Sequence, residues 1–497
     1  VQGYTHPLWF LLLAALQFVV ADLYTAVFVA SVTLSLAAFA ILLFGVGVAP
    51  GATVVAALAL VLSKSFVDYS TSGLENPLAH FVLAVFVWST CTRERLSGPE
   101  LTRSALAFSV IVLTRHDLAV LALPAMLAAT ARAESWSTAA RATLLGSVPF
   151  VVWESFSLVY YGALVPNTAM AKLNTLATTE QNVVQGVYYF ADSLRNDPVT
   201  LAVIGCATGL GLVVRQPFSP TPLAAGVVLY LIYVLAIGGD FMSGRFFAAP
   251  LFVGACIVAL SPRMPAAITT VAVSGLVFLG LFVRSGFFQS LGPDHRNAHI
   301  PASGIADERG YYAGGSSLYA RTLPPLTRAT WAERLRIQAP REVDRGCSLM
   351  GKVGIERGPH VHLIDECALF DPLLARIPAQ AGQRIGHFQR PVPAGYEESI
   401  RRSQVALENP YLRRLYEPIW LVTRGELFSS ERWRAIADLN TGRLTHFGRY
   451  YVLMEAKPEG SPWDAPGTVR LSAPITLGLE GMLDDPTRID VSADNND

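Results

Sequence analysis

Charge is what this sequence has least of. Only 15% of its 497 residues are Asp, Glu, Lys or Arg, against 52% hydrophobic residues and a mean hydropathy of +0.40. That shortage excludes a disordered chain, and the long apolar runs it leaves make this a membrane protein. The shortage is also uneven: 13 of the 38 basic and 12 of the 38 acidic residues fall in 1–290, the remainder in 291–497. The chain therefore reads as a membrane body followed by a water-soluble one. Its formal net charge of zero gives no sign of nucleic-acid binding. Cysteine is scarce, with five residues. Cys91, Cys206 and Cys256 lie in or beside apolar runs and read as inert packing. Cys347 and Cys367 lie in the polar part, where a disulfide forms only if that part is outside the cytoplasm and the geometry allows it. The polar part holds no P-loop, dinucleotide fingerprint or catalytic triad. The chain opens on VQGYTHPLWF without Met or a basic leader, and it is expected to have lost its beginning.

Ten apolar runs can be read as spans, some of them short: 24–44, 51–66, 77–92, 104–114, 117–131, 142–161, 199–214, 222–238, 246–260 and 266–284. Basic residues cluster in alternate connections, at Arg93, Arg95 and Arg103, then Arg132 and Arg141, then Arg215, then Arg263. The positive-inside rule makes that side the cytoplasm. The other side then receives 1–23, the loops near 68–76, 115–117, 162–198 and 238–245, and everything after 285. Residues 8–20 are apolar but short for a crossing, and read as a helix lying at the outer interface.

These outer loops carry the unusual chemistry. The turn GGDFMSGRFF at 238–247 sets Asp240 and Arg245 five residues apart between two apolar runs, and ionisable groups in such places are functional-site hypotheses by default. DYSTSGLENP at 68–77 brings Asp68 and Glu75; Glu75 would equally serve as a favourable partner of a helix N-terminus. TRHD at 114–117 brings Arg115 and His116, in what a plain surface turn would also explain. YYGALVPNTAMAKLN at 160–174 brings Asn167 and Lys172, a lysine that attracts a phosphate or simply snorkels to the interface. Arg245 is the stronger anion ligand because its planar fork binds phosphate bidentately. Together these loops place carboxylates, a histidine and two cations on one membrane face. A site handling a lipid phosphate and a polar acceptor needs cations for the phosphate leaving group and a carboxylate base for the incoming hydroxyl.

From about Gly292 the hydrophobic runs shorten and Pro, Gly, Arg and Asp become frequent. The segment 304–312 is polar and 326–337 has the pattern of an amphipathic helix. Residues 352–378 read as strand, turn, strand, helix, with Val361, Leu363 and Ile364 as strand core and Asp365 after it. His360 and His362 form an H-x-H pair with no evident third ligand, so no metal is assigned and no cofactor is indicated. One or two helices are expected over 411–440, packed through Tyr411, Leu415, Trp420 and Trp433, and a strand pair with an acidic tail over 466–497. This part is mixed α and β, and a scaffolding or glycan-binding role fits it better than independent catalysis.

Five segments share one family pattern: GYTHPLW (3–9), YSTSGLENPL (69–78), YYGALVPNTAMAK (160–172), GGDFMSGRFF (238–247) and GIADERG (304–310). Together they resemble the GT-C glycosyltransferases of the actinobacterial terminal β-(1→2) arabinofuranosyltransferase type, some of whose relatives are called flagellar motor control proteins. The resemblance runs over about residues 1–450. It implies an α-helical polytopic membrane protein of GT-C type, with about ten transmembrane helices present and a C-terminal mixed α/β soluble domain. Residues 1–23 would end the first periplasmic loop with its juxtamembrane helix, 24–290 form the transmembrane domain, and 291–497 the periplasmic domain. The implied reaction transfers an arabinofuranosyl unit from decaprenyl-phosphoryl-arabinose to cell-wall arabinan at the periplasmic face of the plasma membrane. Its partners are the lipid-linked donor, a polysaccharide acceptor and membrane lipids, with no nucleic acid.

Within that scheme Lys172 and Arg245 hold the donor phosphate. Tyr4, His6, Glu75, Arg115, His116 and Asn167 bind substrate, with Tyr4 and His6 on the acceptor side, and Asp240 and Glu75 orient sugar hydroxyls or the two cations. The resemblance puts the principal catalytic acid in the first outer loop, upstream of Val1, and leaves Asp240 as the acid within this chain. The alternatives are a GT-C transferase using another lipid-linked sugar, and a non-catalytic membrane assembly protein. A transporter would instead carry ionisable residues at mid-membrane in repeated segments.

Overall fold

The computed structural model describes residues 1–93, 95–213, 220–262, 264–283, 300–316, 327, 342–347 and 350–455. The described residues up to 283 are helical almost throughout. They form α1 (Pro7–Leu16), α2 (Leu23–Ile41), α3 (Pro50–Leu62), α4 (Lys64–Tyr69), α5 (Asn76–Cys91), α6 (Gly98–Thr114), α7 (Leu118–Ala131) and α8 (Trp136–Gly146). Next come α9 (Val148–Tyr160), α10 (Asn167–Leu173), α11 (Thr179–Asn196), α12 (Pro198–Val213), α13 (Thr221–Ala236), α14 (Arg245–Ala259) and α15 (Ala266–Leu281). Helix α2 runs on through a π turn, so Leu23–Val46 is one apolar helix long enough to cross a membrane. Two bent pairs, α8 with α9 at 48° and α11 with α12 at 109°, raise the number of candidate spans to three. Seven further apolar helices have 10–17 residues each.

Local chemistry explains the breaks. The apolar run 51–66 is not one helix: Ser63 takes extended backbone and its Oγ caps α4 by accepting from the Phe66 N–H. The run 142–161 bends at Ser147, just before Pro149 in the first turn of α9. The stretch 162–198, expected as a long outer loop, is largely helical. A capping box between Thr178 and Gln181 starts α11, whose Gly186, Tyr189 and Ser193 are buried. Helix α14 is the axis of the bundle, buried continuously from Phe247 to Ala259 among α3, α5, α12 and α13. Of the three cysteines read as packing residues, Cys91 and Cys256 are buried and Cys206 is exposed on α12.

The C-terminal part has its own core, around Ile364, Leu373, Leu374, Tyr396, Leu412, Leu415, Tyr416 and Ile419. Strands β1 (Glu342–Gly346) and β2 (Val361–Asp365) pair in parallel, with Glu342 opposite Val361 and Gly346 opposite Asp365. A parallel pair needs a crossover, which here is the helix Met350–Arg357. This corrects the first strand expected over 352–378. The helix expected at the end of that stretch is only a 3-10 turn, Leu374–Arg376, where Asp371 and Pro372 start a tight loop. Ile364 is buried in β2 while Val361 and Leu363 are half-buried. Cys347 and Cys367 form a disulfide across the ends of the strand pair. Two helices, Pro410–Arg424 and Ser430–Asn440, occupy the expected 411–440, with Leu415 buried and Trp420 and Trp433 half-buried. Among the described residues no three His, Cys, Asp or Glu side chains gather as a metal group. Arg215, Arg263, most of 326–337 and all of 466–497 lie outside the described residues.

Candidate functional site

The turn between α13 and α14 is held from three directions. Gly238, Gly239 and Gly244 all have positive φ, and at two of them space is also closed. A Cβ on Gly239 would meet Tyr189 Cγ at 2.4 Å, and one on Gly244 would meet Ser65 Oγ at 2.5 Å. The Tyr189 hydroxyl donates to Met242 O (3.0 Å) and accepts from the Phe246 N–H (3.0 Å). Tyr69 donates to Ser243 O at 2.8 Å, and Ser243 Oγ to Asp192 at 2.6 Å. GIADERG is stitched alongside: Ser243 N–H donates to Ala306 O (3.0 Å) and Ala306 N–H to Phe241 O (2.8 Å). Two motifs sixty residues apart in sequence thus form one piece of backbone.

Inside that frame lies a buried ionic network centred on Glu75, which is fully buried at the start of α5. Arg245 donates to Glu75 through Nη2 (3.0 and 3.4 Å) and faces Asp240 through Nη1 at 3.4 Å. Arg115 Nε lies 3.6 Å from Glu75, while its fork grips Asp117 at 3.1 and 2.6 Å. Tyr230 closes this second pair by donating to Asp117 at 2.6 Å. His6 Nδ1 stands 3.7 Å from Glu75, and the Arg115 guanidinium lies over the Phe246 ring at 5.1 Å. Burial alone would push the Glu75 carboxyl up; Arg245 above all reverses this and holds it well below the usual carboxylate range. Several buried donors around this carboxylate have no hydrogen-bond partner among the described residues, namely Arg115 Nη1, Arg245 Nε and the Asn76 amide. An unmet buried donor costs about 1–3 kcal/mol, so this concentration is not what packing alone would select.

A second charged group adjoins the first. Lys64, buried in the first turn of α4, pairs with Asp68 and with Asp307 (3.1 Å), while Arg309 donates to Asp68 at 2.7 Å. This ties GIADERG to the segment before α5.

The structure therefore brings together Glu75, Asp240, Arg245, Arg115 and His6 from four stretches of chain. Lys172 reaches the edge of this group: its Nζ lies 5.8 Å from the Phe241 ring centre, and among the described residues it has no ion pair. Burial pushes its pKa down, with Asp240 acting against that. Three expected residues sit elsewhere. The Tyr4 hydroxyl meets that of Tyr161 at 2.9 Å and its ring stacks on Phe10 at 4.9 Å. His116 Nε2 is 3.6 Å from Glu154. Asn167 is buried and its amide donates to the carbonyls of Ala368 (2.9 Å), Leu369 (3.3 Å) and Asp371 (3.0 Å), so it clamps backbone of the C-terminal part. Lys64, Asp307, Tyr189, Tyr230, Arg384 and His387 escaped sequence reasoning. Only Lys64 left a signal that was overlooked, a charge inside an apolar run four residues before Asp68.

A mostly helical chain with candidate membrane spans and a buried charged network at its helix ends defines a membrane protein carrying a built polar site. The chain is a distant homologue of a membrane glycosyltransferase of GT-C type: it is 27% identical to the terminal beta-(1->2)-arabinofuranosyltransferase of Mycobacterium tuberculosis, in a match that covers 64% of this chain. The match spans about 63% of that relative's length. No family model matches the chain, and no solved structure matches it.

Proposed function

We propose that this protein is a polytopic membrane glycosyltransferase of about ten spans that transfers an arabinofuranosyl unit from a polyprenyl-phosphate donor to a cell-wall arabinan at the outer face of the membrane. The homology to an arabinofuranosyltransferase carries this reading. The helix ends support the topology. Glu75 at the start of α5, Arg115 at the end of α6, Asp117 at the start of α7 and Arg245 at the start of α14 meet at one end of the bundle, as alternating spans require. At the other end, Arg132 after α7 donates to the carbonyls of Thr90 (2.7 Å) and Arg93 (2.9 Å), and the segments at Leu96 and Ala133 bridge. The C-terminal part, 291–497, then lies outside the cytoplasm, where a Cys347–Cys367 disulfide is at home.

In the reaction an acceptor hydroxyl oxygen bonds to the anomeric carbon as the bond from that carbon to the donor phosphate oxygen breaks. The phosphate leaves with the bonding electrons as the lipid monophosphate, and the hydroxyl proton passes to a carboxylate. Lys172 and Arg245 stabilise the charge growing on the phosphate. Glu75 and Arg115 fix Arg245, and His6 faces the acceptor. Asp240, at 3.4 Å from Arg245, is the carboxylate of this chain placed for proton transfer.

The test is transfer from a polyprenyl-phosphoryl-arabinose to an arabinan acceptor by the full-length protein. Arg245→Ala and Lys172→Ala are each expected to cut turnover at least about 100-fold, and wild-type turnover in both would overturn the donor assignment. Equal turnover with a lipid-linked mannose would remove arabinose from the reading.

A further inference from the structure

Phe241, in the turn between α13 and α14, is wrapped by a loop of the C-terminal part that none of the family segments contains. Gly386 makes the approach possible: it has φ +76°, and a Cβ there would meet Phe241 Cδ1 at 2.4 Å. On either side of Gly386 stands a basic residue aimed at the same ring. The Arg384 guanidinium carbon lies 5.5 Å from the ring centre, and the His387 ring sits edge-on at 4.6 Å. Lys172 reaches the ring from α10 at 5.8 Å. Three basic side chains from two distant parts of the sequence therefore converge on one aromatic platform.

The partners of these groups separate them from the other cations nearby. Arg245 is engaged by Glu75 and Asp240, and Arg115 by Asp117, so an incoming anion would have to compete with carboxylates already in place. Lys172 has no ion pair among the described residues. Arg384 spends its Nε on Gly304 O (2.9 Å), and its Nη2, at 3.6 Å from Glu308, makes no hydrogen bond among the described residues. Arg384 Nη2 and the Lys172 ammonium thus join Arg245 Nε and Arg115 Nη1 as donors open to a ligand, and of these four cations Lys172 alone has no carboxylate upon it among the described residues. Compact anions with several acceptor oxygens suit one planar fork, one ammonium and one imidazole set around a ring.

We propose that Lys172, Arg384 and His387 form an anion subsite around Phe241 that takes the phosphate of a phosphorylated ligand, so that the loop 384–387 of the C-terminal part is a binding element and not merely a cover. This rests on the transferase reading for its natural ligand, a lipid-linked phosphate, while the chemistry recognised is the phosphate monoester or diester itself.

Binding to the full-length protein in detergent tests it, with three probes: a polyprenyl monophosphate, the neutral polyprenol of the same chain length, and inorganic phosphate. The wild type is expected to prefer the monophosphate over the alcohol by about ten-fold or more, and Arg384→Met and Lys172→Gln each to remove most of that preference. His387→Gln should weaken it about three-fold, and Arg384→Lys should restore part of it. Competition by inorganic phosphate at millimolar level would identify the free anion as sufficient; its failure to compete would identify the lipid headgroup as the ligand. Either outcome supports the subsite. Because Arg384 also holds Gly304, gel filtration must show Arg384→Met intact; if it is not, Lys172→Gln and His387→Gln decide. No preference in the wild type, or an unchanged preference in these variants, would overturn the proposal. Headgroup preference without sugar transfer would sink the transferase reading alone, and wild-type binding and transfer by Arg384→Met would sink the subsite alone.

Discussion

The network around Glu75 and the core of the C-terminal part both bury polar and charged groups, but they satisfy them differently. In the C-terminal part, buried cations end on backbone. Arg390 donates to the carbonyls of Ile377, Cys367, Phe388, Ala171 and Asn174. Arg432 does the same to Val422, Leu427 and Tyr160. Around Glu75, charge faces charge, and Arg115 Nη1 and Arg245 Nε have no partner among the described residues. Bonds to carbonyls saturate a guanidinium and lock the chain segments that supply them, which is the work of a scaffold. Carboxylate against guanidinium with donors left over is stable only when the geometry is good, and it leaves capacity to bind something else.

Three experiments would break or sharpen this contrast. The largest effect belongs to Arg390→Met, which takes the Arg390 donors from five carbonyls, three of those bonds being buried, at the seam between 171–174 and the C-terminal core. A loss on the order of 5 kcal/mol, seen as proteolysis of the C-terminal part under conditions where the wild type resists, is expected from about 1–3 kcal/mol per unmet group. A stable Arg390→Met protein would remove the scaffold half of the comparison.

Next is the pair Glu75 and Arg245. Arg245→Met leaves a carboxylate buried beside Arg115 and His6 alone, at a cost of about 3–5 kcal/mol, and adding Glu75→Gln should recover at least half of it. Simple additivity in thermal melts of the four proteins would show that the two side chains do not act as a unit.

The smallest effect concerns Asp371, buried and accepting from the Leu373 and Leu374 N–H groups and from Tyr396, with no guanidinium fork upon it. Burial pushes its pKa up to about 7. A carboxyl raised in the folded state contributes stability that is fully present below its unfolded pKa of about 4 and is lost as pH rises through the folded value. The C-terminal part should therefore lose at most roughly 1.4 kcal/mol per pH unit between about 4 and 7. Asp371→Asn should flatten that slope; an identical slope in the variant would place its cause elsewhere.

Much of the site was legible because ionisable residues beside apolar runs are costly enough to stand out. Asp240, Arg245, Glu75 and Arg115 were found that way, and the structure joins all four. That the Asn167 amide clamps backbone of the C-terminal part was not legible, because sequence does not show what an amide donates to. Arg384 and His387 were missed because they lie in a polar stretch where a basic residue is unremarkable. The crossover helix Met350–Arg357 was read as a strand because eight residues of mixed polarity carry too little periodicity to separate the two.

Composition by itself marked a helix-rich apolar part with candidate membrane spans and a more polar C-terminal part, since lipid admits only chains that satisfy their own backbone. Cap and proline chemistry likewise set where most helices start. Tertiary structure alone decided which ionisable groups share a site: that Arg245 faces Glu75 across 170 residues, that Lys64 reaches Asp307, and that a loop around Gly386 brings Arg384 and His387 to Phe241. The physical reason is range. Hydrophobic burial and capping act over neighbouring residues and leave a periodic trace, whereas an ion pair between remote segments depends only on how packed helices bring their ends together.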